Sequence, residues 1–129
     1  MAEKSFSGAV VDLLGDTVTT KRTNDKPEAA ALCEVLKALR ASPLVAWAER
    51  QNTGAAKVGN RFIRFGWPGC PDVIGQLRDG RFLGCEVKSA TGRASPEQTL
   101  FLAQINHAGG LGFIARNCRD VMQALNQGP

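Results

Sequence analysis

Apolar residues recur along this chain in two rhythms, one of three and four residues and one of two. Between residues 27 and 41, Leu32, Val35, Leu36 and Leu39 fall at three- and four-residue spacing and lay one apolar stripe along a helix. Pro27 suits the first helical position, Asp25 is its cap, and Ser42-Pro43 ends it. Residues 44–52 read as a strand entering a loop, residues 53–60 as a small, polar, flexible loop, and residues 61–65 as a strand with Phe62 and Arg64 on one face. Two further strands follow, the first carrying Val73, Ile74 and Leu77, the second Phe82, Leu83 and Val87, with Asp79-Gly80 between them as a hairpin signal. Ser95 caps a helix with Pro96 at its first position and Gln98 in its first turn, and Gly109-Gly110 stops it. Residues 111–116 make a last strand. Residues 119–126 make a last helix, with Val121, Met122 and Leu125 turned inward. The order α-β-β-β-β-α-β-α predicts an α/β sandwich around a mixed sheet. Ahead of it, residues 9–14 fit either a short helix or a strand, and residues 17–26 are polar and turn-rich. Residues 1–26 therefore read as an N-terminal arm or linker, free to pack on a second subunit.

The registry of the hairpin over residues 69–88 decides its chemistry. A two-residue loop at Asp79-Gly80 would set Asp72 and Glu86 on opposite faces of the sheet. A three-residue loop, Arg78-Asp79-Gly80, with Gly80 supplying the positive φ, sets them directly across from each other. Paired residues have β-carbons about 4.5–5.5 Å apart, so two carboxylates there could grip one divalent cation. The three-residue loop is the expectation. Along the second strand, Leu83, Cys85 and Val87 suit a core, while Phe82, Gly84, Glu86 and Lys88 share the other face. Taken alone, Glu-x-Lys describes a half-exposed strand with its charges in water. The conjunction of Pro71-Asp72 with Glu86-Val87-Lys88 points instead to a site.

With 129 residues the chain fits one domain, and its 43% hydrophobic and 22% charged residues are those of an ordinary globular protein. The net charge of +4 suits a polyanionic partner, and the bases Arg50, Lys57, Arg61, Arg64, Arg78, Arg81, Lys88 and Arg93 crowd the middle. Cys33, Cys70, Cys85 and Cys118 form no C-x-x-C pair, which predicts reduced, mostly buried thiols in a cytoplasmic protein. The lone His107 reads as a helix-end or surface residue, not a ligand. No signal peptide or membrane-spanning run is visible.

P-D, a spacer, then E-V-K resembles the PD-(D/E)XK nuclease superfamily. The segments R-Q-N-T-G, R-F-I-R-F-G-W-P-G-C-P-D-V-I-G and R-F-L-G-C-E-V-K-S-A-T-G-R-A-S-P-E-Q, followed by A-G-G, are similar to its VRR-NUC family, in particular to the small stand-alone phage and bacterial versions. The resemblance covers residues 27–125 and makes residues 27–129 a nuclease domain with a restriction-endonuclease-like core. It implies Mg²⁺ or Mn²⁺ held by Asp72, Glu86 and the backbone carbonyl of Val87. It also implies that Lys88 orients water or stabilises the transition state, and that Gln98 orients the water or Lys88. An acid from the first helix completes the site: Glu28 by its distance from R-Q-N, with Glu34 as rival and Glu49, within A-W-A-E-R, as a further alternative. Arg50, Asn52, Lys57, Arg61 and Arg64 would hold DNA phosphates. Trp67 fits either turn packing or stacking on a base at a branch point.

The implied function is a metal-dependent, structure-selective DNA endonuclease acting at branched DNA such as Holliday junctions, as a homodimer with one site per strand. If phage-encoded, it would act in the host cytoplasm. A sequence-specific restriction-type enzyme is the alternative, although 129 residues leave little material for base readout. A DNA-binding module without catalysis is the other; it would have no need to crowd two carboxylates near phosphates.

Overall fold

The structure, a computed structural model, describes residues 9–11, 17–19, 26–51 and 54–127. In chain order these form β1 (Ala9–Val11), β2 (Thr17–Thr19), α1 (Lys26–Ala41), β3 (Val45–Arg50), β4 (Gly54–Val58), β5 (Arg61–Phe65), β6 (Val73–Leu77), β7 (Phe82–Val87), α2 (Pro96–His107), β8 (Leu111–Ala115) and α3 (Cys118–Leu125). The central sheet has the order β3-β6-β7-β8; its first three strands are antiparallel neighbours, and β8 runs parallel to β7. The fold is thus mixed α/β, a mixed sheet flanked by helices. No helix of the described residues is long and apolar enough to cross a membrane.

The apolar stripe of α1 packs as its spacing predicts. Val35 and Leu39 are fully buried, with Leu32 and Leu36 partly buried beside them. Their core partners include Val45 and Ala48 of β3, Val73 and Leu77 of β6, Leu83, Cys85 and Val87 of β7, and Val121 and Leu125 of α3. Val45 and Ala48 share the core face although they are three apart, because β3 carries a bulge between Val45 and Trp47 that adds a residue opposite β6.

The other face of the sheet is covered by α2. Gly84 and Gly112 are register partners on adjacent strands. Together they make a flat patch with no side chains. A β-carbon on Gly112 would come within 2.8 Å of the Leu102 carbonyl oxygen, and one on Gly84 would overlap the Ile105 side chain. This close docking buries Leu102 and Ile105 and closes β7 on both faces.

The hairpin register is the expected one. Val73 pairs with Cys85 and Gln76 with Phe82, which carries Leu77 opposite Arg81 and Asp72 opposite Glu86. Leu77 N donates to Arg81 O at 2.9 Å, and Gly80, at φ +99°, supplies the positive-φ turn residue.

Several expectations change. Residues 54–58 form a strand, not a flexible loop: Gly54 to Val58 pair with Phe65 to Arg61 around Gly59-Asn60. Their Gly, Ala and Lys content has weak strand preference, so the pairing partner decides. Within the proposed arm, Ala9–Val11 is a strand and pairs with Thr17–Thr19, a β-branched run read as linker because of its polarity. Met122 is exposed, and Ala124 takes the inward position in α3. Cys70 and Cys85 are buried, but Cys33 and Cys118 are exposed; all four are free thiols. Asp25 lies outside the described residues.

Two glycine substitutions separate turn strain from packing. Gly80→Ala meets no atom and should cost only its backbone conformation, about 1 kcal/mol. Gly112→Ala must push α2 off the sheet and should cost roughly 2–3 kcal/mol. Urea denaturation checks this; equal midpoints for the two variants would contradict the close docking of α2.

Candidate active site

Asp72, Glu86, Lys88 and Gln98 meet at one end of the sheet. Asp72 immediately precedes β6 and its Oδ2 accepts from Val87 N at 2.9 Å, which turns the carboxylate toward β7. Glu86 is only 1% exposed and is the one charged residue among the buried side chains described. α2 covers the Glu86 face, so this is not the half-exposed strand that Glu-x-Lys taken alone would describe. Gln98 Nε2 donates to Glu86 Oε2 at 2.7 Å, and Lys88 Nζ lies 3.4 Å from the same oxygen. Glu86 Oε1 is buried with no hydrogen-bond partner. Burial first, then the adjacent Asp72 carboxylate, pushes the Glu86 carboxyl up to about 8, against a smaller opposing effect of Lys88.

Local sequence explains how these groups are held. Gln98 closes a capping box: its N–H donates to Ser95 Oγ at 3.1 Å and its Oε1 accepts from Ser95 N at 2.8 Å. Its amide nitrogen donates to Glu86, where the resemblance implied that Gln98 orients the water or Lys88. The backbone of Lys88 is anchored through its N–H to Ala115 O at 3.2 Å, and Arg116 Nη1 donates to Ser89 O and Gly92 O, both at 2.8 Å. Arg116 carried no signal in the sequence beyond its place at a strand end. The Cys70 thiol is buried nearby and pushed up by burial and then by Glu86 and Asp72, which makes it an inert thiol.

The remaining candidates are spread around this centre. Two rivals for the helix acid are engaged elsewhere. Glu34 Oε2 accepts from Cys118 N at 2.6 Å at the start of α3, which holds its carboxyl below the usual range, and Glu49 pairs with Arg40 at 3.0 Å. Glu28 lies exposed in the first turn of α1. Since α1 runs into β3, and β3 is antiparallel to β6, this turn belongs to the same end of the sheet as Asp72. Arg50 is exposed at the end of β3, where the next residue, Gln51, donates its N–H to Asp72 O at 2.6 Å. Lys57 and Arg61 are exposed on the β4–β5 hairpin. Asn52 and the side chain of Arg64 lie outside what is described. Trp67 packs edge-to-face on Phe101 of α2, 5.4 Å between centroids.

Two facing carboxylates, one with an unpartnered buried oxygen, form a donor set that fits a hard divalent cation with retained waters. Among the described residues no group of three or more His, Cys, Asp or Glu side chains could hold a metal, so side-chain ligation rests on Asp72 and Glu86 alone.

The raised Glu86 carboxyl sets a pH dependence of stability. Its folded pKa lies above the ordinary 4.5, so the folded state binds this proton more tightly. The contribution of Glu86 to stability in EDTA is fully present below pH 4.5 and is lost as pH rises toward 8, by on the order of a few kcal/mol. Glu86→Gln should flatten this loss. Urea midpoints at pH 5 and pH 8 for both proteins check it; an unchanged slope in the variant would assign the titration to other groups.

Compared with known proteins, the chain matches no family model, no curated protein and no solved structure.

Proposed function

We propose that this protein is a divalent-metal-dependent DNA endonuclease of the PD-(D/E)XK type, acting at branched DNA, with its mixed α/β core in the restriction-endonuclease-like arrangement. The observation that carries the proposal is Glu86: a carboxylate buried against Asp72, with one oxygen left without a partner. A buried charge so placed is costly unless a cation or a proton compensates it. Asp72 and Glu86 would hold Mg²⁺ or Mn²⁺, with the Val87 carbonyl as a further donor.

The bound ion would lower the pKa of a water and stabilise charge on the scissile phosphate. The rest of the work falls to this chain's own groups. Gln98 fixes the Glu86 carboxylate by its 2.7 Å hydrogen bond. Lys88, its side chain 13% exposed and beside the same carboxylate, presents an ammonium to the phosphodiester and orients the attacking water. Glu28 completes the acid set from α1. Arg50, Lys57, Arg61, Arg64 and Asn52 hold the phosphate backbone on either side of the cut. A homodimer with two such sites would serve the two strands of a junction.

The test is direct. Four-way junction, flap and linear duplex DNA are incubated with the protein in Mg²⁺, Mn²⁺ or EDTA. Junction or flap cleavage in either metal, absent in EDTA, is the expected result. Defined cuts in linear duplex would favour restriction-type specificity, and binding without cutting would make the protein a binding module. Lys88→Ala should lower the cleavage rate by about 10²–10³-fold with DNA affinity largely kept. Equal loss of binding and cleavage would remove Lys88 from the chemistry.

A further inference from the structure

The β4–β5 hairpin leaves the core and returns to it beside the carboxylate pair. On one side Gln51, three residues before β4, is tied to Asp72 O. On the other, the turn in which Cys70 N donates to Trp67 O at 2.9 Å leads through Pro71 into Asp72. Beyond its own pairing the hairpin makes little contact with other elements.

Its two faces differ. Ala56, Val58 and Ile63 share one face and are each partly buried. Lys57 and Phe62 are direct cross-strand partners on the other face, and both are exposed. Phe62 is 77% exposed, more than any other large hydrophobic residue described. Packing does not account for it, because the hairpin's packing face is the opposite one. The residue across from its ring is the Lys57 ammonium; Arg61, next along the strand, pairs with Val58 and so stands on the opposite face.

We propose that Phe62 is a base-stacking residue, which takes the face of an unpaired nucleotide while Lys57, directly across from it, holds an adjoining phosphate. A surface that docks another protein sets its aromatic anchors in a core depleted of charge, and the direct cross-strand neighbour of Phe62 is the cationic Lys57. A single strand offers the complementary pattern of a π-face flanked by phosphates. Within a continuous duplex the base faces are already stacked on each other, so the ring selects nucleotides at a branch, flap or frayed end. The inference rests on the DNA-cleaving reading above and deepens it: it names the part of a branched substrate that this chain recognises.

Fluorescence anisotropy in EDTA, with a labelled single strand, a four-way junction and a blunt duplex, tests it. Phe62→Ala should weaken binding of the single strand and the junction by about tenfold, with the duplex changed by less than about twofold. Phe62→Trp should restore the loss. Because the ring is exposed, both variants should melt as the wild type does. Equal loss on all three probes, or no loss on any, would overturn the proposal. So would dissociation of a dimer by Phe62→Ala in analytical ultracentrifugation, since the ring would then be covered by a second copy. The two readings fail separately: a wild type that cuts no DNA in Mg²⁺ or Mn²⁺ sinks the endonuclease, while selective loss of single-strand binding in Phe62→Ala still stands.

Discussion

The arrangement at the head of the sheet depends on one unfavourable placement, a carboxylate buried against another carboxylate. Glu86 is the last residue but one of β7, a strand covered on both faces, by α1 and α3 on one side and by α2 on the other. Removal from water and the proximity of Asp72 both oppose ionisation there. The neighbouring groups answer this only in part. Gln98 and Lys88 both address Oε2, which leaves Oε1 without a partner. Native interiors seldom leave a buried polar atom so placed, and where they do the exception calls for a reason. On the proposed reading, a hard cation between the two acids would supply that reason.

Precision at this site comes from groups used more than once. Gln98 caps α2 through its backbone N–H and side-chain oxygen, then uses its amide nitrogen to hold Glu86. Its reach depends on how near α2 lies to the sheet, and that distance is set by two paired positions, Gly84 and Gly112, that carry no side chain. On the far side of the site, Arg116 anchors the loop after Lys88 through two backbone carbonyls. Glu86 therefore sits on an enclosed strand, with Asp72, Lys88 and Gln98 held beside it by hydrogen bonds to the backbone and the helix cap.

The surface that would meet a polyanion is built differently. Arg50 ends an edge strand of the sheet, and Lys57, Arg61 and Phe62 stand on a hairpin that belongs to its own small sheet. Residues on a lightly packed element beside a rigid centre can move without disturbing that centre.

Much of this was legible in the residues. The stripe Leu32, Val35, Leu36, Leu39 specified α1, Ser95-Pro96 with Gln98 specified the start of α2, and Asp79-Gly80 specified the turn that brings Asp72 across from Glu86; each of these is a local signal. What was not legible was any quantity set by a distant neighbour. Gly54 to Val58 became a strand because Arg61–Phe65 pairs with it, and Glu34 accepts from Cys118 N because α3 begins beside it. The same holds for Glu86. Alternation along β7 determined which face it takes, but only tertiary packing decided whether that face is wet, because the helix that covers it begins ten residues further along the chain and approaches through two glycines on different strands.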